Sequence, residues 1–356
     1  MNIVKIPAFF DLHVHFRDPG FTEKETLQTG SEAAFYGGYS DVVTMPNTNP
    51  PVDNAQTIQF INTAKTRVKI HTAACITEGM RGEKLADFSL YKENGVRIIT
   101  DDGKPVKNNR LMLEAFIEAE KYGLLIADHC EDLDIINGGI VNDGEISRAL
   151  GLKGMNRLSE ELLTMRDIQL AEYTHGAVHI CHVSTAKSLQ MIREAKERGV
   201  RVTCETAPHY FVYTDEKITK LDADYRMNPP LRTESDRKAV VEAIKDGTID
   251  CIATDHAPHT PNEKADFITA PNGVIGLETA FAASYTYLVK TGEITFEKLI
   301  DLMSRNPRNI YGLTDEPPLI EVDLDEKWVV EPEKLHSKGR NCVFKGEILY
   351  GKVLRD

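Results

Sequence analysis

Eight short β-branched runs alternate with longer amphipathic segments along most of this chain, and that rhythm leaves few folds open. Parallel strands need a crossover connection between them, usually a helix, so the repeated alternation predicts an α/β fold, a (β/α)8 barrel. The expected strands end near His13, Met45, Cys75, Thr100, His129, Val183, Thr206 and Asp255. Between them, residues 25–37, 54–66, 108–122, 159–174, 185–198 and 233–245 carry apolar side chains at three- and four-residue spacing, several behind an Asn, Ser or Thr suited to capping a helix. After the eighth strand, 277–291 and 295–311 are expected as two more helices, followed by a Pro-rich turn at Glu316-Pro317-Pro318. Trp328 to Val330 and Glu347 to Leu354 are expected as short strands. The predicted division is a catalytic barrel over 1–312 and a small C-terminal β segment over 313–356, packed on the barrel.

Several function classes fall away on composition. Acidic residues outnumber basic ones by 55 to 42, for a formal charge of −13, which repels nucleic acid and anionic membranes at long range. No stretch approaches the ~18 continuous apolar residues of a membrane span. The first ten residues run straight into a strand-like segment without a signal or transit pattern, so a cytoplasmic protein is expected. The cysteines Cys75, Cys130, Cys181, Cys204, Cys251 and Cys342 show no CxxC spacing, and five of them lie in apolar strand-like runs. They are expected as small buried hydrophobes in a reducing compartment, without chemistry.

Chemistry gathers at the strand ends. In Phe9-Phe10-Asp11-Leu12-His13-Val14-His15, strand alternation puts His13 and His15 on one face. An isolated HxH is weak evidence of a metal site, but position strengthens this one. Asp101 and Asp102 follow the fourth strand, His129 ends the fifth, His182 sits near the end of the sixth and Asp255 ends the eighth. All are C-terminal strand ends, the face on which barrel enzymes build their sites. Buried carboxylates and imidazoles are costly without partners, and a divalent cation supplies one. Imidazole nitrogen with carboxylate oxygen suits zinc, with manganese, cobalt or iron as substitutes. His13, His15, Asp102, His129, His182 and Asp255 exceed the needs of one catalytic ion, so two ions bridged by a carboxylate are expected. Asp102 is the expected bridge; Asp101 is its nearest rival, and a carboxylated Lys104 is a third candidate further past the strand end.

The other histidines are expected to be structural. His179, three residues before His182, falls on the opposite strand face and should point toward the helices. His71, His175 and His336 lie at strand starts, helix ends or the C-terminal segment. His209 follows the seventh strand and faces the correct rim, but has no nameable partner.

The run His13-Val14-His15-Phe16-Arg17-Asp18-Pro19-Gly20 resembles the signature of dihydroorotases in the amidohydrolase superfamily, of the type with an Asp in place of a carboxylated Lys. Met45-Pro46-Asn47-Thr48, Thr100-Asp101-Asp102-Gly103, Asp128-His129-Cys130-Glu131-Asp132, His182-Val183-Ser184-Thr185, Asn228-Pro229-Pro230-Leu231-Arg232 and Thr254-Asp255-His256-Ala257-Pro258-His259 resemble that family's further blocks, in its order and over nearly the whole chain. The resemblance implies one zinc held by His13, His15, Asp102 and Asp255, and a second held by Asp102, His129 and His182. It also implies Arg17, Asn47 and His259, with His15 adjoining, on the substrate's α-carboxylate. Asn228 and the backbone near Asn272 and Gly273 would meet the ring amide. An isolated Arg17 would otherwise be expected in a surface ion pair with Asp18 or a neighbouring acid, and Asn47 as a helix N-cap.

The activity that the resemblance implies is reversible cyclisation of N-carbamoyl-L-aspartate to L-dihydroorotate, a step of pyrimidine biosynthesis, by metal-activated hydroxide attack on a cyclic amide with Asp255 as acid and base. Two other functions compete: an inactive scaffold for an aspartate transcarbamoylase partner, and a hydantoinase or allantoinase. Retention of every candidate ligand speaks against the scaffold. Arg17 and the Asn228 block speak against other cyclic amidases. Family members usually carry a longer N-terminal segment that supplies half of a β-sandwich, and an edge left bare by its absence would be covered in a homodimer.

Overall fold

A computed structural model of the chain describes residues 2–355. Eight parallel strands form the barrel: Phe9–Val14, Tyr39–Thr44, Lys69–Thr72, Ile98–Ile99, Leu125–Asp128, Val178–Ile180, Val202–Thr206 and Cys251–Ile252. They pair in chain order, first to third in one run and fourth to eighth in another. Single parallel bridges, Ala74 with Ile99 and Val14 with His256, join the two runs and close the ring. Every expected strand is present, and closure leaves the sheet no free edge.

Side chains sort by strand face. Phe10, Leu12, Val43, Met45, Ala73, Ile98, Ala127, Cys181 and Cys251 fill the barrel interior, and Tyr311 joins them. Phe9, Val42, Ile70, Ile99, Ile126, Val178, Ile180 and Ile252 face outward into the larger core beneath the helices. The seventh strand contributes no apolar residue to the interior cluster, because Glu205 occupies that space.

The helices start where their caps predict. Thr26 accepts from the Thr29 amide, Asn54 from Thr57, Asn108 from Arg110 and Leu111, and Thr185 from Ser188. Each such cap satisfies an amide that the helix leaves without a partner. The segments expected as two late helices are helical but interrupted, with π-helical turns at Tyr285–Val289 and Asp301–Arg305. Not foreseen are the helix Phe88–Glu93 and an excursion after the fifth strand, in which Val141–Asn142 pairs with Gly154–Met155. Among the described residues no helix is long and apolar enough to cross a membrane. All six cysteines are free and buried.

A separate antiparallel sheet has Leu319–Val329 at its centre, with Ile3–Pro7 and Ile348–Leu354 on either side. The central strand begins nine residues earlier than Trp328, the start expected from sequence. Its alternate residues Ile320, Val322 and Leu324 are buried in the main core. The small sheet therefore draws on both ends of the chain, not on residues 313–356 alone.

Candidate metal centre

Six residues from five strand ends converge at the C-terminal mouth of the barrel, with the Asp102 carboxylate in the middle. Its Oδ1 lies 3.4 Å from His13 Nε2, 3.7 Å from His129 Nδ1 and 4.0 Å from His182 Nε2, and its Oδ2 lies 3.5 Å from His15 Nε2. Asp255 Oδ1 approaches the first pair of rings, at 3.1 Å from His15 Nε2 and 3.5 Å from His13 Nε2. His129 Nδ1 and His182 Nε2 are 2.7 Å apart. All six side chains are buried.

Two of the six arrive through unusual backbone. The sixth strand ends at Ile180 and the eighth at Ile252, and the chain then turns so that His182 (φ 34°) and Asp255 (φ 49°) adopt left-handed conformations. Such conformations are uncommon away from glycine and concentrate at functional sites. Because His182 lies past the end of its strand, counting alternation back from it misplaces His179. That ring points into the barrel interior, not toward the helices: Nε2 lies 3.1 Å from Glu205 and Nδ1 2.8 Å from Thr203 Oγ1.

Three of the four central imidazoles are held from behind. His13 Nδ1 meets Glu205 Oε1 at 2.8 Å, His15 Nδ1 meets Asn47 Oδ1 at 3.0 Å, and His129 Nε2 meets Glu131 Oε2 at 3.1 Å. With the outer nitrogen donating, the inner one presents a lone pair to the centre, the tautomer that a cation requires. His13 Nε2 and Asp102 Oδ1 are buried and face the centre without a hydrogen-bond partner among the described residues. Leaving such atoms bare is costly, and a divalent cation bound between them removes the cost. Donor atoms of His13, His15 and Asp102 lie mutually within 4.8 Å, as do those of Asp102, His129 and His182, so the residues fit a metal centre.

The rings and carboxylates hold one another's charges: against their burial, Asp102 raises the His13 imidazole and Glu131 raises that of His129 to about 9. Burial alone would raise the Asp102 carboxyl, but His13, His15 and His129 hold it well below the usual carboxylate range. Asp255 is likewise held low against its burial by His15, His13 and His182. Glu205 is buried too, yet hydrogen bonds from His13 and His179 bring it down to about 2. Burial, aided by the neighbouring His129, lowers His182 to about 4. The carboxylates are thus kept anionic where a cation would sit.

The rival bridges are excluded by position. Asp101 turns away and accepts from the Ile76 amide at 2.8 Å, the Thr77 amide at 3.1 Å and the Thr77 hydroxyl. Lys104 is exposed. Among the described residues, Asp101 joins no group of His, Cys, Asp and Glu close enough to hold an ion.

Beside the centre lies a cleft of about 200 Å³ whose lining includes Arg17, Asn47, Asn228, Asn272 and Gly273. Arg17 does not pair with Asp18, which instead accepts from the Leu27 amide. Its Nε donates to the Pro258 carbonyl at 3.3 Å, and among the described residues it forms no ion pair. Asn47 is not a helix cap, since Asn54 caps the following helix. Asn228 Nδ2 donates to Glu131 Oε1 at 2.7 Å, behind His129. His259 Nε2 donates to the Asn272 carbonyl at 2.9 Å, and Arg17 Nη2 lies 3.4 Å from the same nitrogen. The Gly273 amide is already given to the Arg226 carbonyl at 2.9 Å, and its carbonyl accepts from Lys264 and Asn341. His209 is buried, and its Nε2 has no hydrogen-bond partner among the described residues.

Sequence reasoning missed Glu205 and Glu131 as the groups that orient His13 and His129. A signal existed for the first: an acid inside the strand run Val202-Thr203-Cys204-Glu205-Thr206 must find a buried partner. Glu131 belongs to the same short motif as His129 but stands two residues past it, where strand periodicity no longer applies.

A family model described as dihydro-orotase-like matches residues 3–188. A dihydroorotase of Acetivibrio thermocellus is 44% identical over 359 residues, covering 98% of this chain and 84% of the relative. One of Desulforapulum autotrophicum is 45% identical over 363 residues, covering 99% and 85%. Among solved structures, a dihydropyrimidinase from Brevibacillus agri superposes with a TM-score of 0.84 at 20% identity, over 99% of this chain and 83% of that one. An L-hydantoinase from Arthrobacter aurescens gives a TM-score of 0.86 at 21% identity, over 98% and 82%. At these identities the structural neighbours speak for the barrel fold alone.

Proposed function

Since the chain belongs to the dihydroorotase family, we propose that its cyclic amidohydrolase reaction, the interconversion of L-dihydroorotate and N-carbamoyl-L-aspartate, runs at the buried six-residue centre with Asp255 as acid and base. The observation that carries this assignment is the placement of Asp102 and Asp255 among four imidazoles directly beside a cleft that holds an unpaired guanidinium. We assign His13, His15, Asp102 and Asp255 to one zinc, and Asp102, His129 and His182 to a second, with Asp102 shared. Bound there, the ions would polarise the amide carbonyl and lower the pKa of a water molecule.

The protein's own residues do the rest. In ring opening, water forms a bond to the amide carbon and the C–N bond breaks. Asp255 takes the water's proton and returns it to the departing ring nitrogen, and ring closure reverses each transfer. Held low by the surrounding rings, its carboxylate begins the cycle unprotonated. Arg17 offers paired donors to the substrate's α-carboxylate, with Asn47 and His259 beside it and Asn228 toward the ring amide. Because the Gly273 amide and carbonyl are already engaged, the contact expected of that backbone is better assigned to holding the cleft wall than to the ring.

Elemental analysis together with parallel assays on dihydroorotate, hydantoin and allantoin tests the proposal. Zinc-bearing protein that turns over dihydroorotate at the highest kcat/KM supports it, and metal-bearing protein that prefers an uncharged ring overturns the substrate assignment.

Two variants separate the roles. Arg17→Met is expected to raise KM for dihydroorotate by about 10- to 100-fold through loss of a charge-assisted pair, while turnover of uncharged hydantoin is little changed. Glu205→Gln leaves His13 without its anionic partner, and zinc affinity measured against a competing chelator is expected to fall by about 10- to 100-fold. Equal zinc affinity in the variant would show that Glu205 serves only to fill the barrel.

A further inference from the structure

Segment 258–273 contributes Asn272 and Gly273 to the lining of the cleft, with the buried His259 donating to the Asn272 carbonyl, and Lys264 and Arg226 hold that segment without an ion-pair partner among the described residues. Lys264 Nζ donates to three carbonyls at once: Arg226 at 3.1 Å, Pro271 at 3.0 Å and Gly273 at 3.0 Å. Arg226, itself buried, donates from Nη1 to the Phe267 carbonyl at 2.7 Å and the Ile268 carbonyl at 3.0 Å, and from Nε to Asn272 Oδ1 at 3.2 Å. Its guanidinium also lies 5.6 Å from the centre of the Phe267 ring. The Arg226 carbonyl closes the loop by accepting the Gly273 amide at 2.9 Å. Neither cation lies within 4.0 Å of an acidic oxygen among the described residues. An ammonium has three donors and no acceptor, so all three are spent on this one segment and its anchor.

We propose that Lys264 and Arg226 are positioning residues for substrate binding: together they clamp segment 258–273 so that His259 and Asn272 stand at fixed distance from Arg17 and form the anion-binding side of the cleft. Gly273 shows how tight the fit is. At φ 136°, a Cβ there would lie 2.8 Å from both the Ala257 carbonyl oxygen and the Ala257 Cβ, and 3.1 Å from His259 Nε2. A side chain at this position would therefore press on both Ala257 and the His259 ring. The segment's other end is tied differently, through Glu263, which accepts from Thr260 and pairs with Lys24 at 2.7 Å.

The inference rests on the dihydroorotase reading for the identity of the anion, whereas the clamp itself is read without turnover. Lys264→Met and Lys264→Arg are compared with the parent protein in steady-state kinetics on dihydroorotate, zinc content and amide hydrogen exchange. For Lys264→Met the expected result is faster exchange confined to 258–273 and a KM raised about tenfold or more, with kcat within about threefold and zinc content unchanged. Lys264→Arg, which retains charge and several donors, is expected to recover most of the lost affinity. Parent-like KM in Lys264→Met overturns the proposal, as does faster exchange spread over the barrel strands, which marks a merely structural role. Should the parent protein fail to turn over dihydroorotate, the exchange data still decide the clamp while the functional assignment falls separately.

Discussion

Asp255→Asn is expected to lower kcat for dihydroorotate by about 10²- to 10⁴-fold while substrate affinity changes by less than about threefold. The substitution preserves shape and an oxygen that can face the His15 and His13 rings, now 3.1 and 3.5 Å from the carboxylate. What it removes is the capacity to accept a proton. Asp255 lines the cleft and approaches the His13 and His15 rings. Asp102 also lines the cleft, but it stands among four rings whose nitrogens it must serve together. The measurement is kcat and KM over a range of pH, with zinc content determined on the same samples. Loss of kcat with zinc retained assigns the proton transfer to Asp255. A variant that keeps full kcat removes it from the mechanism.

Asp102→Ala should have the second large effect, on metal content as well as on rate. His13, His15, His129 and His182 all place a nitrogen within 4.0 Å of this one carboxylate, so its loss takes a ligand from both proposed ions. Zinc per chain is expected to fall well below that of the parent, with turnover reduced by about 10⁴-fold or more, the scale on which hydrolytic catalysis depends on its metal. Removing one partner of a buried charged set also costs about 3–5 kcal/mol of stability, read as a lower melting temperature of the metal-free protein. Asp101→Asn is the control. Its carboxyl, raised to about 6 by burial against hydrogen bonds from Thr77 and Ile76, ties down the strand 3 to strand 4 side of the mouth. Zinc content in that variant is expected to match the parent, and a loss equal to that of Asp102→Ala would mean that the two neighbours share the bridging role.

The contrast between Asp101 and Asp102 shows how far sequence could reach. Adjacent carboxylates after a strand both satisfied the pattern of acids at the barrel mouth. Only the hydrogen bonds to Ile76 and Thr77, twenty-five and twenty-four residues away, show which one is occupied elsewhere. The same holds for Arg17, whose surface ion pair with Asp18 was the ordinary expectation for an arginine one residue from an acid. Its freedom from such a pair depends on the Leu27 amide claiming Asp18 and on the Pro258 carbonyl holding the guanidinium toward the cleft.

Local periodicity did determine the barrel. A run such as Tyr39–Thr44 or Val178–Ile180 has few options once a capped amphipathic helix comes after it, because apolar spacing and cap chemistry are properties of adjacent residues. The same locality explains why the candidate ligands could be named: each closes a strand or stands just beyond one. Period-two counting ends where the strand ends, however, and His182 and Asp255 lie beyond that point in left-handed backbone. The partners that give the site its character, Glu205 behind His13 and Glu131 behind His129, come from different strands or from past a strand end. Ile3–Pro7 pairs with a strand more than three hundred residues away. Spacing along the chain fixes which residues stand at the mouth, whereas side-chain direction and the ownership of each hydrogen bond are set by contacts between distant segments, and those only folding brings into reach.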